Sequence, residues 1–298
     1  MRSIVVGTRG TSLALAQTRW VIARLKEEWT DTEFKLQTIP DATKPASKLK
    51  ALEDALISER IDIAVHNLKD LGLKQPETLE IASIPKRLEA RDALVGRAGC
   101  KNLADLPAGA RVGVNGAHRL AFLRAYRPEL ELIELPGDAE TRLEALGAGQ
   151  IDAFLIAAND LIRLELRNRI DELVSPELIL PAAGQGAIAL SARNDDDIAI
   201  EVAYSIHHHA SDDRITAERA FLEGLLPKGT NFMGLHAIGA LASVSDDGLL
   251  TLEGAIAAPD GSKIIRATVE GEADEAEDLG FELAEDVLAQ GGAELVKG

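Results

Sequence analysis

The run Ile61-Asp-Ile-Ala-Val-His-Asn-Leu-Lys-Asp70 sets the reading of the whole chain. Ile61, Ile63 and Val65 form a short, β-prone apolar stretch, the pattern of a buried strand. His66, Lys69 and Asp70 follow it directly. In an open α/β sheet, ligands bind beyond the carboxyl ends of the strands, so a cation and a carboxylate here are expected to face a ligand. The plainer alternative is that Asp70 caps a turn or pairs with Lys69.

On either side of this strand, apolar runs of strand length alternate with segments of helical spacing. Ser3–Val6, Phe34–Ile39 and Leu79–Ile84 read as strands, and Leu13–Glu28 and Leu49–Ser58 as helices, the first capped by Thr11 or Ser12. A second unit repeats the alternation: strands Arg111–Val114, Glu131–Glu134 and Ala153–Ala157, and helices Arg119–Tyr126, Thr141–Leu146 and one from about Asp160. Such alternation implies parallel sheets covered by helices. The Gly/Pro break Leu180-Pro-Ala-Ala-Gly-Gln-Gly-Ala187 precedes an apolar run, Ile188–Ser191, that is expected to return to the first domain. Beyond His209 the pattern becomes helix (Ser211–Leu226), two strands (Leu249–Ala255, Lys263–Val269) and helix (Glu277–Gln290), a small α+β domain. The expected division is 1–86 with 187–204, then 92–180, then 209–298.

Composition narrows the function. The chain has 298 residues, 46% hydrophobic and 27% charged, with a formal net charge of −17. That charge disfavours nucleic acid and anionic membranes as partners. No apolar run has the length of a membrane span, and the N-terminal residues lack the apolar core of a secretion signal, so a cytoplasmic monomer is expected. A single cysteine, Cys100, excludes an internal disulfide and any zinc site built on several cysteines. His207-His-His209 has the wrong spacing for one helical face and no accompanying carboxylate motif, so no metal is expected.

Against so acidic a background, arginine-bearing strand-to-helix loops stand out as anion sites. Gly7-Thr-Arg-Gly-Thr-Ser12 offers free backbone N–H groups, a helix N-terminus and Arg9, which can grip a carboxylate with two hydrogen bonds. Val112-Gly-Val-Asn-Gly-Ala-His-Arg119 and Pro136-Gly-Asp-Ala-Glu-Thr-Arg142 repeat the arrangement. Solvated arginines on capped helices are the plainer alternative. Three such loops point to a cleft for a polyanion, and Asp70 is the acid–base or hydrogen-bonding candidate within it.

Four segments carry a family resemblance: Gly7-Thr-Arg-Gly-Thr-Ser-Leu-Ala-Leu15, Asp62–Asp70, Leu180–Ala187, and Thr216-Ala-Glu-Arg219 with its helix; Ala257-Ala-Pro-Asp-Gly-Ser262 fits the last domain. Through them the chain resembles hydroxymethylbilane synthase, also called porphobilinogen deaminase. The resemblance implies two periplasmic-binding-protein-like α/β domains plus a small C-terminal α+β domain. It implies a transferase of tetrapyrrole (porphyrin) biosynthesis, condensing four porphobilinogen units with loss of ammonia on a dipyrromethane cofactor held by a cysteine thioether. In that family the residue matching Asp70 hydrogen-bonds pyrrole N–H groups and stabilises cationic intermediates. Those matching Arg9, Arg119, Arg142 and Arg163 bind acetate and propionate side chains, and Thr11, Lys69 and Gln185 join them as substrate- or cofactor-binding residues.

The chain departs from the family at four loops. Gly234 stands at the cofactor-attachment cysteine, Val114-Asn-Gly-Ala-His-Arg119 replaces a hydroxyl- and arginine-rich loop, Pro136 replaces an arginine, and Pro40–Lys50 is a shortened covering segment. Glycine forms no thioether. The expectation is therefore an inactive or strongly impaired member, a pseudoenzyme or engineered variant, with no cofactor as sequenced and at most a small anionic or pyrrole-carboxylate ligand. The alternatives are a small-anion or dicarboxylate binding or sensing protein using the interdomain cleft, and an active synthase with atypical cofactor attachment.

Overall fold

A computed structural model describes residues 3–40, 45–227, 230 and 237–297 of the chain. The elements of its first part are β1 (Ser3–Arg9), α1 (Ser12–Glu28), β2 (Glu33–Ile39), α2 (Pro45–Ile57), β3 (Ile63–Asn67) and β4 (Leu79–Ser83). Next come β5 (Asp92–Gly96), β6 (Arg111–Val114), α3 (Ala117–Tyr126), β7 (Glu131–Glu134), α4 (Ala139–Gly147), β8 (Ala153–Ala157), α5 (Ala158–Arg163) and β9 (Glu172–Leu173). The rest is β10 (Ile188–Arg193), α6 (Asp197–Tyr204), α7 (His209–Leu225), β11 (Ile238–Val244), β12 (Leu249–Ala257), β13 (Ile264–Glu272), α8 (Ala276–Val287) and α9 (Ala293–Lys297).

The chain divides into two compact units, Met1–Leu88 with Ala187–Asp212, and Glu89–Gly186 with Asp213–Gly298. The first unit holds a sheet of order β2-β1-β3-β10-β4. β1 runs parallel to β2 and β3, while β10 is antiparallel to β3 and β4. Alternation along the strands builds two cores. Ile4, Val6, Ile63 and Val65 pack with Val21 and Leu25 of α1 and Val202 of α6. Ala64 joins Leu52, Ala55 and Leu56 of α2 and Ile61 on the other side. Gly7 is required here, because a Cβ would lie 2.3 Å from Ile61 Cδ1.

The second unit repeats the plan in the order β7-β6-β8-β5-β9. β6 is parallel to β7 and β8, and β5 is antiparallel to β8 and β9. The same unit contains the antiparallel sheet β11-β12-β13. Phe221 of α7 lies over Gly254 of β12, and Leu279 of α8 over Gly271 of β13. The class is thus α/β with a small α+β portion.

Several elements go beyond the sequence reading. β5, β9, β11 and α6 were not expected, and the last sheet has three strands where two were expected. β5 opens on a charged residue at the end of a charged segment, and β11 is rich in small residues, so neither shows the usual strand signal. Helix α8 runs on from Val287 through a π-helical turn, Leu288–Gly292, so helical backbone reaches the expected Gln290 and breaks at Gly291, where φ is +100°.

Candidate functional site

In the first unit, β1 and β3 are parallel neighbours and deliver their carboxyl ends together. Thr11 N-caps α1, its Oγ1 accepting from Ala14 N at 3.3 Å, and Thr8 Oγ1 donates to Ala14 O at 3.1 Å. These bonds fix the turn that carries Arg9, the last residue of β1, which makes no ion pair among the described residues. His66 near the end of β3 is buried, and its Nε2 has no hydrogen-bond partner. Burial, and then the positive charge of Arg9, push its pKa down to about 4, so the ring is neutral at physiological pH. A 3-10 turn, Leu68–Asp70, follows with Leu68 buried as its anchor. Asp70 is exposed at its end, and Asn67 Nδ2 donates to Asp70 Oδ2 at 3.2 Å. Arg9, Thr11, Lys69 and Asp70 therefore share one end of the first sheet.

In the second unit, β6, β7 and β8 end side by side and lead into α3, α4 and α5, which carry Arg119, Arg142 and Arg163. Antiparallel β5 starts at the same end, with Asp92 opposite Ala157. Asp92 is fully buried, and Arg119 grips it with both arms: Nε to Oδ2 and Nη2 to Oδ1, each 2.8 Å. Arg119 also donates to Asn115 O at 2.9 Å and Gln185 Oε1 at 2.8 Å. Gln185, itself fully buried, donates to Asp92 Oδ1 at 2.8 Å and Ala90 O at 2.7 Å. Burial pushes the Asp92 carboxyl up, but Arg119, with lesser help from His118 and Gln185, outweighs it and holds the group at about 2. His118 Nε2 lies 4.0 Å from Asp92 Oδ2.

Arg142 is committed differently. Its Nη1 donates to Leu155 O at 3.0 Å and its Nη2 to Gly137 O at 3.1 Å, while its buried Nε has no partner. Burial and the nearby Arg119 charge lower its pKa against the opposing pull of Asp160, Asp92 and Asp138. Arg163 is held down to about 10 by burial alone. Asn159, also buried, donates to Asp160 Oδ1 at 2.9 Å and leaves its own Oδ1 unpartnered. Two buried guanidiniums near each other, Arg119 and Arg142, one with an unmet donor, are chemistry for carboxylate recognition.

The residues named from sequence are thus gathered at two strand ends: Arg9, Thr11, Lys69 and Asp70 on one sheet, Arg119, Arg142, Arg163 and Gln185 on another. Gln185 is buried against Asp92 and Arg119, which makes it a brace inside the protein. Sequence reasoning quoted His66 without giving it a role, and missed Asp92, Asn159 and Asp160. The pair Asn159-Asp160, directly after the wholly apolar Ala153–Ala157, was a usable signal; Asp92 gave none. Gly234 and residues 41–44 of the shortened segment lie outside the described residues.

Other candidates fall away. Cys100 follows the far end of β5, its thiol pKa raised by burial and by Asp171, Asp105 and Glu172. His207 Nδ1 accepts from Ile84 N at 3.3 Å and its Nε2 is 3.6 Å from Asp212, while His208 Nδ1 accepts from Ser211 N at 3.2 Å. Among the described residues no group of three or more His, Cys, Asp or Glu could hold a metal, and no helix is long and apolar enough to cross a membrane.

Comparison with known proteins adds an independent line. The family described as "Porphobilinogen deaminase, dipyromethane cofactor binding domain" matches residues 4–201, and "Porphobilinogen deaminase, C-terminal domain" matches 236–289. A porphobilinogen deaminase of Deinococcus radiodurans is 54% identical over 311 residues, covering 100% of this chain and 99% of the relative. One of Thermus thermophilus is 51% identical over 303 residues, covering 99% of each. Among solved structures, a pheromone cOB1 precursor/lipoprotein of the YaeC family from Enterococcus faecalis aligns with a TM-score of 0.48 at 14% identity, covering 69% of this chain and 91% of that one. The expectation that the chain carries no cofactor is overturned by these findings: residues 4–201 match a cofactor-binding domain, and relatives with half their residues identical along their full length are porphobilinogen deaminases. That expectation rested on one attachment atom and gave no weight to the side chains that would hold the cofactor's carboxylates.

Proposed function

Because this chain belongs to the porphobilinogen deaminase family, we propose that its site binds pyrroles of the porphobilinogen type through their acetate and propionate groups and serves tetrapyrrole biosynthesis. The observation that carries this reading is the buried, unpartnered Nε of Arg142 close to Arg119, on the helices that follow the carboxyl ends of β6 and β7. A buried donor without an acceptor costs about 1–3 kcal/mol, which an incoming carboxylate restores. In the first unit Arg9 makes no ion pair among the described residues, and neutral His66 neither competes with it for a carboxylate nor adds charge. Asp70, exposed and steadied by Asn67, is the group that accepts a hydrogen bond from a pyrrole N–H and stabilises positive charge as ammonia leaves.

The same donors fit dipyrromethane, which carries the same acetate and propionate groups. When bound, dipyrromethane supplies the pyrrole carbon to which new units are joined. The family's attachment position is Gly234, and the single thiol, Cys100, follows the opposite end of the second sheet. In this reading the cofactor is held by arginine–carboxylate contacts without a thioether, and turnover falls well below that of the cysteine-bearing family pattern.

The test is titration calorimetry with porphobilinogen beside a pyrrole that lacks carboxylates. Binding of porphobilinogen that weakens with added salt is expected, with none for the neutral pyrrole. Equal binding of both, or of neither, would sink the proposal.

A further inference from the structure

A chain of buried hydrogen bonds reaches Arg119 from outside the strand ends. Glu218 of α7 is fully buried, and its two carboxylate oxygens accept from two backbone donors in different parts of the unit: Oε2 from Gly184 N at 2.7 Å, and Oε1 from Ala242 N of β11 at 2.8 Å. Gly184 opens the turn that presents Gln185. Gly184 and Gly186 both have positive φ, +74° and +87°, so the turn relies on anchors at its ends to keep its shape. At one end Gly186 packs on the backbone of Glu89 and Ala90, where a Cβ would come within 2.6 Å of Glu89 O. At the other end the anchor is Glu218.

We propose that Glu218 is a positioning residue for the arginine site, acting through Gly184 and Gln185 to fix the guanidinium of Arg119. The inference rests on the reading of that site as a carboxylate receptor. A guanidinium has five N–H donors, and Arg119 spends four of them on Asp92, Gln185 and Asn115. The fifth, on Nη1, is the one left for a ligand, and its direction follows from the other four. Gln185 supplies one of those four acceptors and also donates to Asp92, so a shift of the Gly184–Gly186 turn disturbs both partners of Arg119 together. Hydrogen bonds from backbone N–H groups to an ionised carboxylate are the stronger kind, which makes Glu218 a stiff brace. Removing it strands two buried N–H groups and frees a turn whose glycines carry no side chains to hold it.

The plainer role for Glu218 is to fasten β11 to the turn with no consequence for Arg119. Arginine-labelled 15N spectra of the full chain separate the two roles without any ligand. The Arg119 Nε–H signal is assigned by its loss in Arg119→Lys. In Glu218→Gln that N–H should lose its protection from hydrogen exchange by about tenfold or more, the scale of one charged hydrogen bond. Phe221→Leu, a packing change on the same helix, should lower thermal stability and leave Arg119 protected. Glu218→Asp keeps the charge but reaches only one of the two N–H groups; it should give a smaller loss and serves if the glutamine variant does not fold. The proposal is overturned if Arg119 stays protected in both Glu218 variants, or if Phe221→Leu exposes it equally. Porphobilinogen affinity should fall in step with protection. Lost protection in Glu218→Gln, together with a wild-type protein that binds no porphobilinogen, would instead refute the carboxylate-receptor reading and leave the brace standing.

Discussion

The two α/β sheets share a strand order and place their candidate residues at the same kind of strand end, yet they handle charge in opposite ways. At the end of β1 and β3 the carboxylate, Asp70, is exposed, the cation Arg9 makes no ion pair among the described residues, and the buried polar group, His66, is neutral. At the ends of β6, β7 and β8 the arginines lie inside, and an acid from antiparallel β5, Asp92, neutralises one of them completely. One topology therefore yields an open carboxylate in one unit and buried, internally bonded arginines in the other. Burial decides which: a group in water keeps its chemistry available, while a group out of water needs a partner or a ligand.

The largest effect should come from breaking the buried pair. Asp92→Ala leaves Arg119 charged and unpaired, and should cost the second unit about 3–5 kcal/mol in denaturant unfolding. If the cost is below about 1 kcal/mol, the pair behaves like an exposed one and the contrast between the units collapses.

Acid should separate the units next. The His66 pKa falls from its ordinary 6.5 to about 4 on folding, so between these values the unfolded chain binds more protons than the folded one. Stability from this group is complete above pH 6.5 and is lost as pH falls toward 4, by up to about 3 kcal/mol. For Asp92 the loss comes lower, as pH falls from 3.8 to about 2. Probes placed in each unit should show the first weakening before the second, and His66→Leu should remove the earlier transition. Simultaneous loss in both units, unchanged by that substitution, would count against the contrast.

Smaller effects concern ligand. Arg142→Met removes the unmet donor and should weaken porphobilinogen binding by about tenfold, read by calorimetry. Asp70→Asn should change stability by less than about 0.5 kcal/mol, because the group is exposed, while reducing ammonia release from porphobilinogen far more. A large stability change in Asp70→Asn would mean that its carboxylate is structural.

Much of this architecture could be read from the sequence, because apolar runs of strand length alternating with helical spacing announce themselves. Arg111–Val114, Glu131–Glu134 and Ala153–Ala157 form strands over the expected residues. β11 stayed hidden because Gly, Ala and Ser dilute its pattern. Arg9, Arg119 and Arg142 were named from their loops and Arg163 from the family resemblance, but their working state could not be. Arg119 meets an aspartate 27 residues away, and that aspartate meets a glutamine 93 residues away, so no local pattern encodes either contact. The cofactor was misjudged for a related reason. A thiol absent from an expected position is conspicuous in a sequence, whereas the arrangement of arginines proposed to hold the cofactor's carboxylates forms only after folding.

The central claim is that the cofactor belongs to this chain and is held by charge. The most direct measurement is a mass spectrum of protein expressed with porphobilinogen supplied, taken once under native and once under denaturing conditions. The account expects the dipyrromethane mass on the native protein and the bare polypeptide after denaturation. An adduct that survives denaturation, or a native protein that carries none, would contradict it.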